Sequence, residues 1–180
     1  MAFDNWQVDH AHSSIGFTVR HMVVSKVRGR FGKWSATLAF DETNPAGSSV
    51  EVSIDVASID TGAGDRDTHL RSPDFFDVKK FPAIHFKSKR VQPKGPGRLE
   101  VVGDLTIRDV TRELALEVET GQGKDPWGNQ RAAFTAQTSI NRKDFGLAWN
   151  QVLETGGVLV SEKVEIELEL EAVKSVAKAA

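Results

Sequence analysis

Residues 50–56, Val-Glu-Val-Ser-Ile-Asp-Val, place an aliphatic side chain at every even position and a polar one at every odd position. Residues 164–170, Val-Glu-Ile-Glu-Leu-Glu-Leu, repeat this alternation near the other end of the chain. Successive side chains of a β-strand point to opposite faces, so a period of two is typical of a strand with one apolar face. Both segments therefore predict strands of a sheet that buries one face.

The same alternation, weaker in places, recurs in residues 15–19, 34–40, 84–88, 99–107, 112–118 and 132–140. Turn-forming residues separate these segments, at Asn44–Gly47, Pro93–Gly97, Arg108–Asp109 and the longer loop Gly121–Asn129. The sequence thus predicts about eight substantial strands and a short leading one around Trp6 and Val8. Hairpin breaks between consecutive strands favour an antiparallel meander.

Residues 61–82 break the alternation. Ser72 followed by Pro73 is typical of an N-cap with proline at the first helical position, and Asp74 would then lie in the first turn. This segment predicts a short helical insertion, at about residues 64–80, between two strands.

Length and composition fit a single globular domain over residues 1–180, with its core at about 5–172. The net charge of −2 gives no strong attraction to nucleic acid, and the lack of cysteine excludes disulfides and thiolate chemistry. No apolar run is long enough to span a membrane, and the N-terminus has no basic or apolar region typical of a secretory signal. We therefore expect a cytoplasmic protein.

Eight antiparallel strands with one apolar face can close into a barrel, which hides both that face and the sheet edges. At this strand number the side chains either fill the interior or leave space for one small ligand. The inward positions carry almost no charge, so a hollow interior would suit a hydrocarbon chain. A solidly packed core is the alternative that the strand pattern leaves open.

The chain also resembles a known family, the YceI-like proteins, which are polyisoprenoid-binding and lipocalin-like. The resemblance covers about residues 5–172 and rests on an ordered set of motifs: Trp6–Asp9, His12–Phe17, Val27–Phe31, Asp65–Asp77, Phe81–Phe86, Gly103–Ile107, Val110–Thr111, Arg142–Gly146 and Val164–Leu170. It implies an all-β, eight-stranded antiparallel lipocalin-like barrel with a short helical insertion. It also implies an elongated pore for an isoprenoid chain, such as a polyprenyl compound or a quinone tail, and a homodimer.

The inward apolar residues are the candidates for holding such a chain. We expect the tail to contact Phe17, Leu38, Ile54, Phe86, Leu105, Leu116, Phe134 and Ile166. We expect the pore to be closed by Leu70, Phe75, Phe76 and Phe145. Binding of this kind requires no catalytic residue, metal or other cofactor, because an isoprenoid lipid or quinone would be cargo.

Polar candidates have two interpretations each. His10 and His12 would share one side of a strand and suggest a metal pair, but the family motif favours a structural or headgroup-facing role for His12. Arg66, Asp67, His69 and Asp74 can hold a headgroup, with Arg66 and His69 as its contacts, or can form an ion-pair network that ties the insertion to the barrel; we favour the network.

The basic segment Lys26–Lys33 is interpreted as a solvated hairpin connection, with a polyprenyl phosphate contact as the minor alternative. Nucleotide-binding loops and a nucleophile elbow are absent from the sequence. We therefore expect a non-catalytic lipid carrier. The alternatives are a packed barrel that acts through its surface, as a stress-linked interaction or structural module, and an enzyme acting on a prenyl lipid.

Overall fold

The computed structural model describes residues 5–22, 24–150 and 159–174. Within these ranges the chain forms one α-helix, α1 (Gly64–Arg71), and four short 3-10 helices at His10–His12, Pro45–Gly47, Val56–Ser58 and Arg142–Phe145. The strands are β1 (Asn5–Val8), β2 (Ser14–His21), β3 (Ser25–Phe31), β4 (Trp34–Ala39), β5 (Ser49–Asp55), β6 (Ile59–Asp60), β7 (Ala83–Gly95), β8 (Arg98–Ile107), β9 (Val110–Lys124), β10 (Gln130–Asn141) and β11 (Val160–Lys174). The described helices include none that is long and apolar enough to cross a bilayer.

All strands belong to one antiparallel sheet that closes on itself. Strand β11 pairs with β10 on one side, and on the other side it pairs with β2 and then with β1. Strands β1 and β2 pair in turn with β4 and β3, which pair with β5 and β6. The pairs β1/β2, β3/β4 and β5/β6 therefore each act as one broken barrel strand. The result is the predicted eight-stranded barrel with one short helix.

The pairing register turns the predicted apolar positions inward. Phe134 lies opposite Leu170 and Ala136 opposite Leu168, while Ile166 lies opposite Phe17 across the closing seam. Residues directly opposite in an antiparallel pair share a face, so the alternation predicted from sequence becomes a continuous apolar inner wall.

The segment Lys26–Lys33 is not a hairpin connection as predicted, because most of it forms β3. Val27 and Phe31 point inward while Lys26, Arg28 and Arg30 are exposed, so the alternation of a strand is present. Gly29 occupies the middle inward position and supplies no apolar side chain, which hides the pattern in the sequence.

Helix α1 lies within the predicted insertion, but the interpretation of Ser72 as an N-cap is wrong. Helix α1 ends at Arg71, and Ser72 is its C-cap, since the backbone N–H and the hydroxyl of Ser72 both donate to the His69 carbonyl. Pro73 follows a helix end here instead of opening a helix. Residues 73–80 form turns and lead into β7.

A partly buried ion-pair network fastens the closing seam. Arg131 of β10 donates to Asp125 at 3.0 Å, to Asp9 at 3.1 Å and to Glu171 of β11 at 3.0 Å. Partial burial raises the pKa of Asp125, but hydrogen bonds from Asn129, Arg131 and the backbone N–H of Trp127 outweigh it and lower the pKa to about 2. The ionised Asp125 is thus favoured in the folded barrel.

Because the pKa of Asp125 is lower in the folded chain than in the unfolded one, its contribution to stability is present above about pH 4 and is lost as the pH falls towards about 2. We expect Asp125→Asn to lower the urea midpoint at neutral pH. The difference from the wild type should shrink between about pH 4 and about pH 2, because protonation removes the same charge from the wild type. A difference that is constant across this window would contradict the assignment.

Candidate functional site

Two adjacent apolar cavities lie inside the barrel. The larger has a volume of about 160 Å³ and the smaller of about 70 Å³. The side chains of Val52, Phe86, Leu116 and Leu168 line both cavities, so the two follow one another inside the barrel. An apolar cavity of about 150 Å³ can stay dry and bind benzene. The interior is therefore not plugged, although it is narrower than the roughly 300–1,000 Å³ typical of pockets for drug-sized ligands.

Eleven of the twelve apolar residues singled out from the sequence line these cavities. Seven of them line only the larger cavity: Phe17, Ile54, Leu70, Phe75, Phe76, Leu105 and Ile166. Leu38 and Phe134 line only the smaller cavity, and Phe86 and Leu116 line both cavities. Phe145 lines neither cavity, and its role in closing the pore stays a prediction. Its 3-10 helix follows β10 and buries the ring in the surrounding core.

Two glycines allow aromatic rings to lie against the wall. Gly29 of β3 lies opposite Phe17 of β2, and a Cβ atom at position 29 would collide with the Phe17 ring. A Cβ at Gly103 of β8 would lie 2.6 Å from the Phe86 ring and 2.5 Å from the Lys87 carbonyl oxygen. The rings of Phe17 and Phe86 thus fill the places of missing side chains. This arrangement leaves more of the centre of the barrel open.

The segment between β6 and β7 closes one side of the larger cavity. Leu70 of α1 and the following Phe75 and Phe76 contribute apolar side chains to the wall. The Phe76 ring lies edge-on to Phe31, with 6.4 Å between ring centroids. The Phe75 ring contacts the Trp149 ring, with 5.4 Å between ring centroids. Both phenylalanines therefore join the insertion to the barrel while they cover the cavity.

Polar side chains of the insertion hold it to the barrel. The buried Asp67 accepts hydrogen bonds from the backbone N–H of Thr61, at 2.9 Å, and from its hydroxyl. Arg66 donates to the hydroxyl and carbonyl oxygens of Thr61, and Arg71 donates to the carbonyls of Ala57 and Ile59. These side-chain hydrogen bonds, and not strand pairing, attach α1 to the segment that precedes it. They favour the interpretation of the Arg66–Asp74 cluster as a tie between insertion and barrel.

The three candidate headgroup residues lie at different places. Nε2 of His69 donates to Asp74 at 2.8 Å, and its ring lies edge-on to Phe75, which lines the larger cavity. Arg66 is bound to Thr61 as described above. His12 is exposed and lies 2.8 Å from Asp9, and it lines neither cavity. Of the three, His69 has the most direct contact with the cavity wall.

The proposed sharing of one strand face by His10 and His12 is wrong. Both residues lie in a 3-10 helix, and the His10 ring packs on Trp34 with 4.5 Å between centroids. His12 does lie close to two carboxylates, because candidate ligand atoms of Asp9, His12 and Glu171 all lie within 4.8 Å of one another. Arg131 already occupies both carboxylates as a cation, so this group is explained as part of the seam network.

Sequence reasoning missed Arg142, whose side chain is buried with 3% of its surface exposed. Burial lowers the pKa of this guanidinium. It donates to the backbone carbonyls of Leu147, Trp149, Val160 and Ser161, and the residue lines the larger cavity. Residue 142 is in phase with the inward positions of β10, which end at Ile140, and this phase was the available signal.

The comparisons with known proteins agree on the family. The model of the YceI-like domain matches residues 6–172. A UPF0312 protein of Vibrio cholerae is 42% identical over 165 residues, which cover 91% of this chain and 83% of that protein.

Solved structures show the same fold. BcnA of Burkholderia cenocepacia matches with a TM-score of 0.82 and 28% identity, and the match covers 92% of this chain and 99% of that one. A polyisoprenoid binding domain from Saccharophagus degradans, implicated in plant cell wall breakdown, matches with a TM-score of 0.69 and 15% identity over 97% of this chain and all of that one. By both its sequence and its barrel, the chain belongs to the YceI-like domain family.

Proposed function

We propose that this protein binds one isoprenoid-like lipid by its hydrocarbon tail, inside the barrel, and carries it without altering it. The observation that carries the proposal is the pair of adjacent apolar cavities at the centre of a closed sheet. The name of the Saccharophagus degradans domain, a polyisoprenoid binding domain with this fold, gives further support. A polyprenyl compound or a quinone would each supply a suitable tail.

The physical driving force is the removal of hydrocarbon from water. Each buried Å² of apolar surface contributes roughly 25 cal/mol, and the ordering of the chain and of the side chains around it offsets part of this gain. An apolar wall gives little preference among headgroups, so the length and branching of the tail would govern selectivity.

A long tail needs more space than the two cavities provide as they stand. The wall formed by Leu70, Phe75 and Phe76 is attached through side-chain contacts, whereas most of the remaining wall residues lie on paired strands. Segments with few ladder hydrogen bonds open at lower free energy than paired strands. We therefore propose that the tail enters beside α1 and displaces these three side chains.

The first experiment is solvent extraction and native mass spectrometry of the purified protein. We expect one isoprenoid lipid at close to one molecule per chain, recovered with unchanged mass after incubation. Protein that is repeatedly lipid-free and rejects added geranylgeraniol would favour the alternative, a barrel acting through its surface. Conversion of the added lipid to a product would instead favour an enzyme.

A bulky side chain at the junction of the cavities should block binding. Leu116→Trp places an indole where both cavities meet, and we expect it to lower geranylgeraniol affinity at least tenfold in calorimetric titration. The neighbouring Ala115 is exposed on the same strand, so Ala115→Trp is the matched control and should bind as the wild type does. Equal affinity of both variants would contradict binding inside the barrel.

Gly29→Ala should also reduce binding, because the new methyl group displaces the Phe17 ring from the wall towards the cavity. We expect roughly a tenfold loss of geranylgeraniol affinity, with recovery in the double variant Phe17→Ala, Gly29→Ala. A Cβ at Gly121 meets nothing within 4 Å, which makes Gly121→Ala the control. Unchanged affinity in folded Gly29→Ala would show that the ring position does not set the capacity of the cavity.

A further inference from the structure

The turn between β2 and β3 exposes apolar side chains to solvent. Val24 is 82% exposed and Met22 is 47% exposed. Among the described residues, the other large hydrophobic side chain with such exposure is Trp127, in the turn between β9 and β10. Residues 22 and 24 are not part of the apolar core, and their exposed side chains are available to a partner outside the chain.

Cationic side chains flank this exposed tip. Arg20 lies directly opposite Lys26, and the next outward position of β3 is Arg28. All three residues are exposed, and within the described ranges none of them forms a salt bridge; the next cation along β3, Arg30, reaches Asp60 at 3.8 Å. Like charges directly opposite one another destabilise a strand pair. The barrel therefore keeps a basic surface here that does not serve its own folding.

The tip lies next to one end of the larger cavity. Val19 and Val160 line that cavity, and Val160 pairs with His21, the last residue of β2. The backbone N–H of Met22 donates to the carbonyl of Leu159 at 2.8 Å, which fixes the turn beside this edge of the barrel. The exposed apolar tip thus starts within a few residues of side chains that face the cavity.

We propose that the β2–β3 hairpin docks this protein on an anionic lipid bilayer. The side chains of Met22 and Val24 enter the boundary between headgroups and acyl chains, while Arg20, Lys26 and Arg28 bind lipid phosphates. An apolar group flanked by cations is the combination that favours an anionic membrane surface. Docking in this orientation places the cavity end at the bilayer. The purpose of docking therefore rests on the proposed function, but its physical basis does not.

Charge and burial argue against two other occupants. A second copy bound symmetrically through this hairpin would bring its own Arg20, Lys26 and Arg28 against the same cations. A nucleic acid would use aromatic stacking as well as phosphate contacts, but Phe31, the aromatic residue of this basic strand, is buried in the core. A membrane uses both the cations and the exposed tip.

The test is flotation of the purified protein with vesicles of phosphatidylcholine alone or mixed with phosphatidylglycerol. We expect binding to the mixed vesicles that weakens as salt is added, and little binding to phosphatidylcholine. The triple variant Arg20→Gln, Lys26→Gln, Arg28→Gln should lose roughly a hundredfold in affinity, since each cation contributes roughly fivefold near an anionic surface. The double variant Met22→Ser, Val24→Ser should also bind more weakly than the wild type.

Trp127 supplies the matched control, because its turn lies at the opposite end of the barrel. Trp127→Ser should bind mixed vesicles as the wild type does, and all variants should keep the wild-type melting temperature because the substituted side chains are exposed or half-exposed. The proposal would be overturned by equal binding to both vesicle types, by no binding, or by an equal loss in Trp127→Ser. A concentration-dependent dimer that the hairpin variants abolish would assign the tip to a second copy.

This assay needs no cargo, and the extraction experiment needs no vesicles. Vesicle binding by a protein that rejects geranylgeraniol would therefore overturn the proposed function and leave docking intact. Tight geranylgeraniol binding with no vesicle binding would overturn docking and leave the proposed function intact.

Discussion

Closure of the sheet through β11 is the constraint on which the other features depend. One edge of β11 pairs with β10, and the other is divided between β2 and β1. This leaves the strand without a free edge and directs its alternate side chains into a common interior. The apolar wall, the position of the insertion and the seam network around Arg131 all follow from this pairing.

An interior of this kind remains open only if its largest side chains stay away from the centre. The contacts of Phe17 with Gly29 and of Phe86 with Gly103 show how the barrel does this. A glycine on one strand receives the ring of its neighbour, so a large apolar surface is presented without filling the lumen. The capacity of the barrel is thus set by pairs of positions, not by the size of any one residue.

The fold was predictable wherever the alternation was strong. In β5 and β11 the alternation is strict over residues 50–56 and 164–170, and most of the inward residues there line the interior. The pattern failed in β3, where Gly29 replaces an apolar residue between exposed cations. It also failed at Ser72–Pro73, because the same residue pair is compatible with the start and with the end of a helix.

The site was predictable as a set of inward positions but not as a volume. Most of the predicted residues reach the cavity wall because strand phase alone determines their direction. The space left between them depends on side-chain rotamers and on ring placement, which the pattern does not encode. Arg142 escaped notice for a related reason, since its partners are backbone carbonyls that only the folded chain brings together.

The two halves of the barrel differ in continuity. Strands β7 to β11 run unbroken for ten to fifteen residues, whereas the other three barrel strands are each divided into two segments. Every interruption removes ladder hydrogen bonds at a similar height along the barrel. The interrupted strands are therefore more flexible at this height than the continuous strands. We therefore expect local opening to occur mainly on one side of the barrel. Amide protons of the interrupted strands should exchange with solvent before those of the continuous strands.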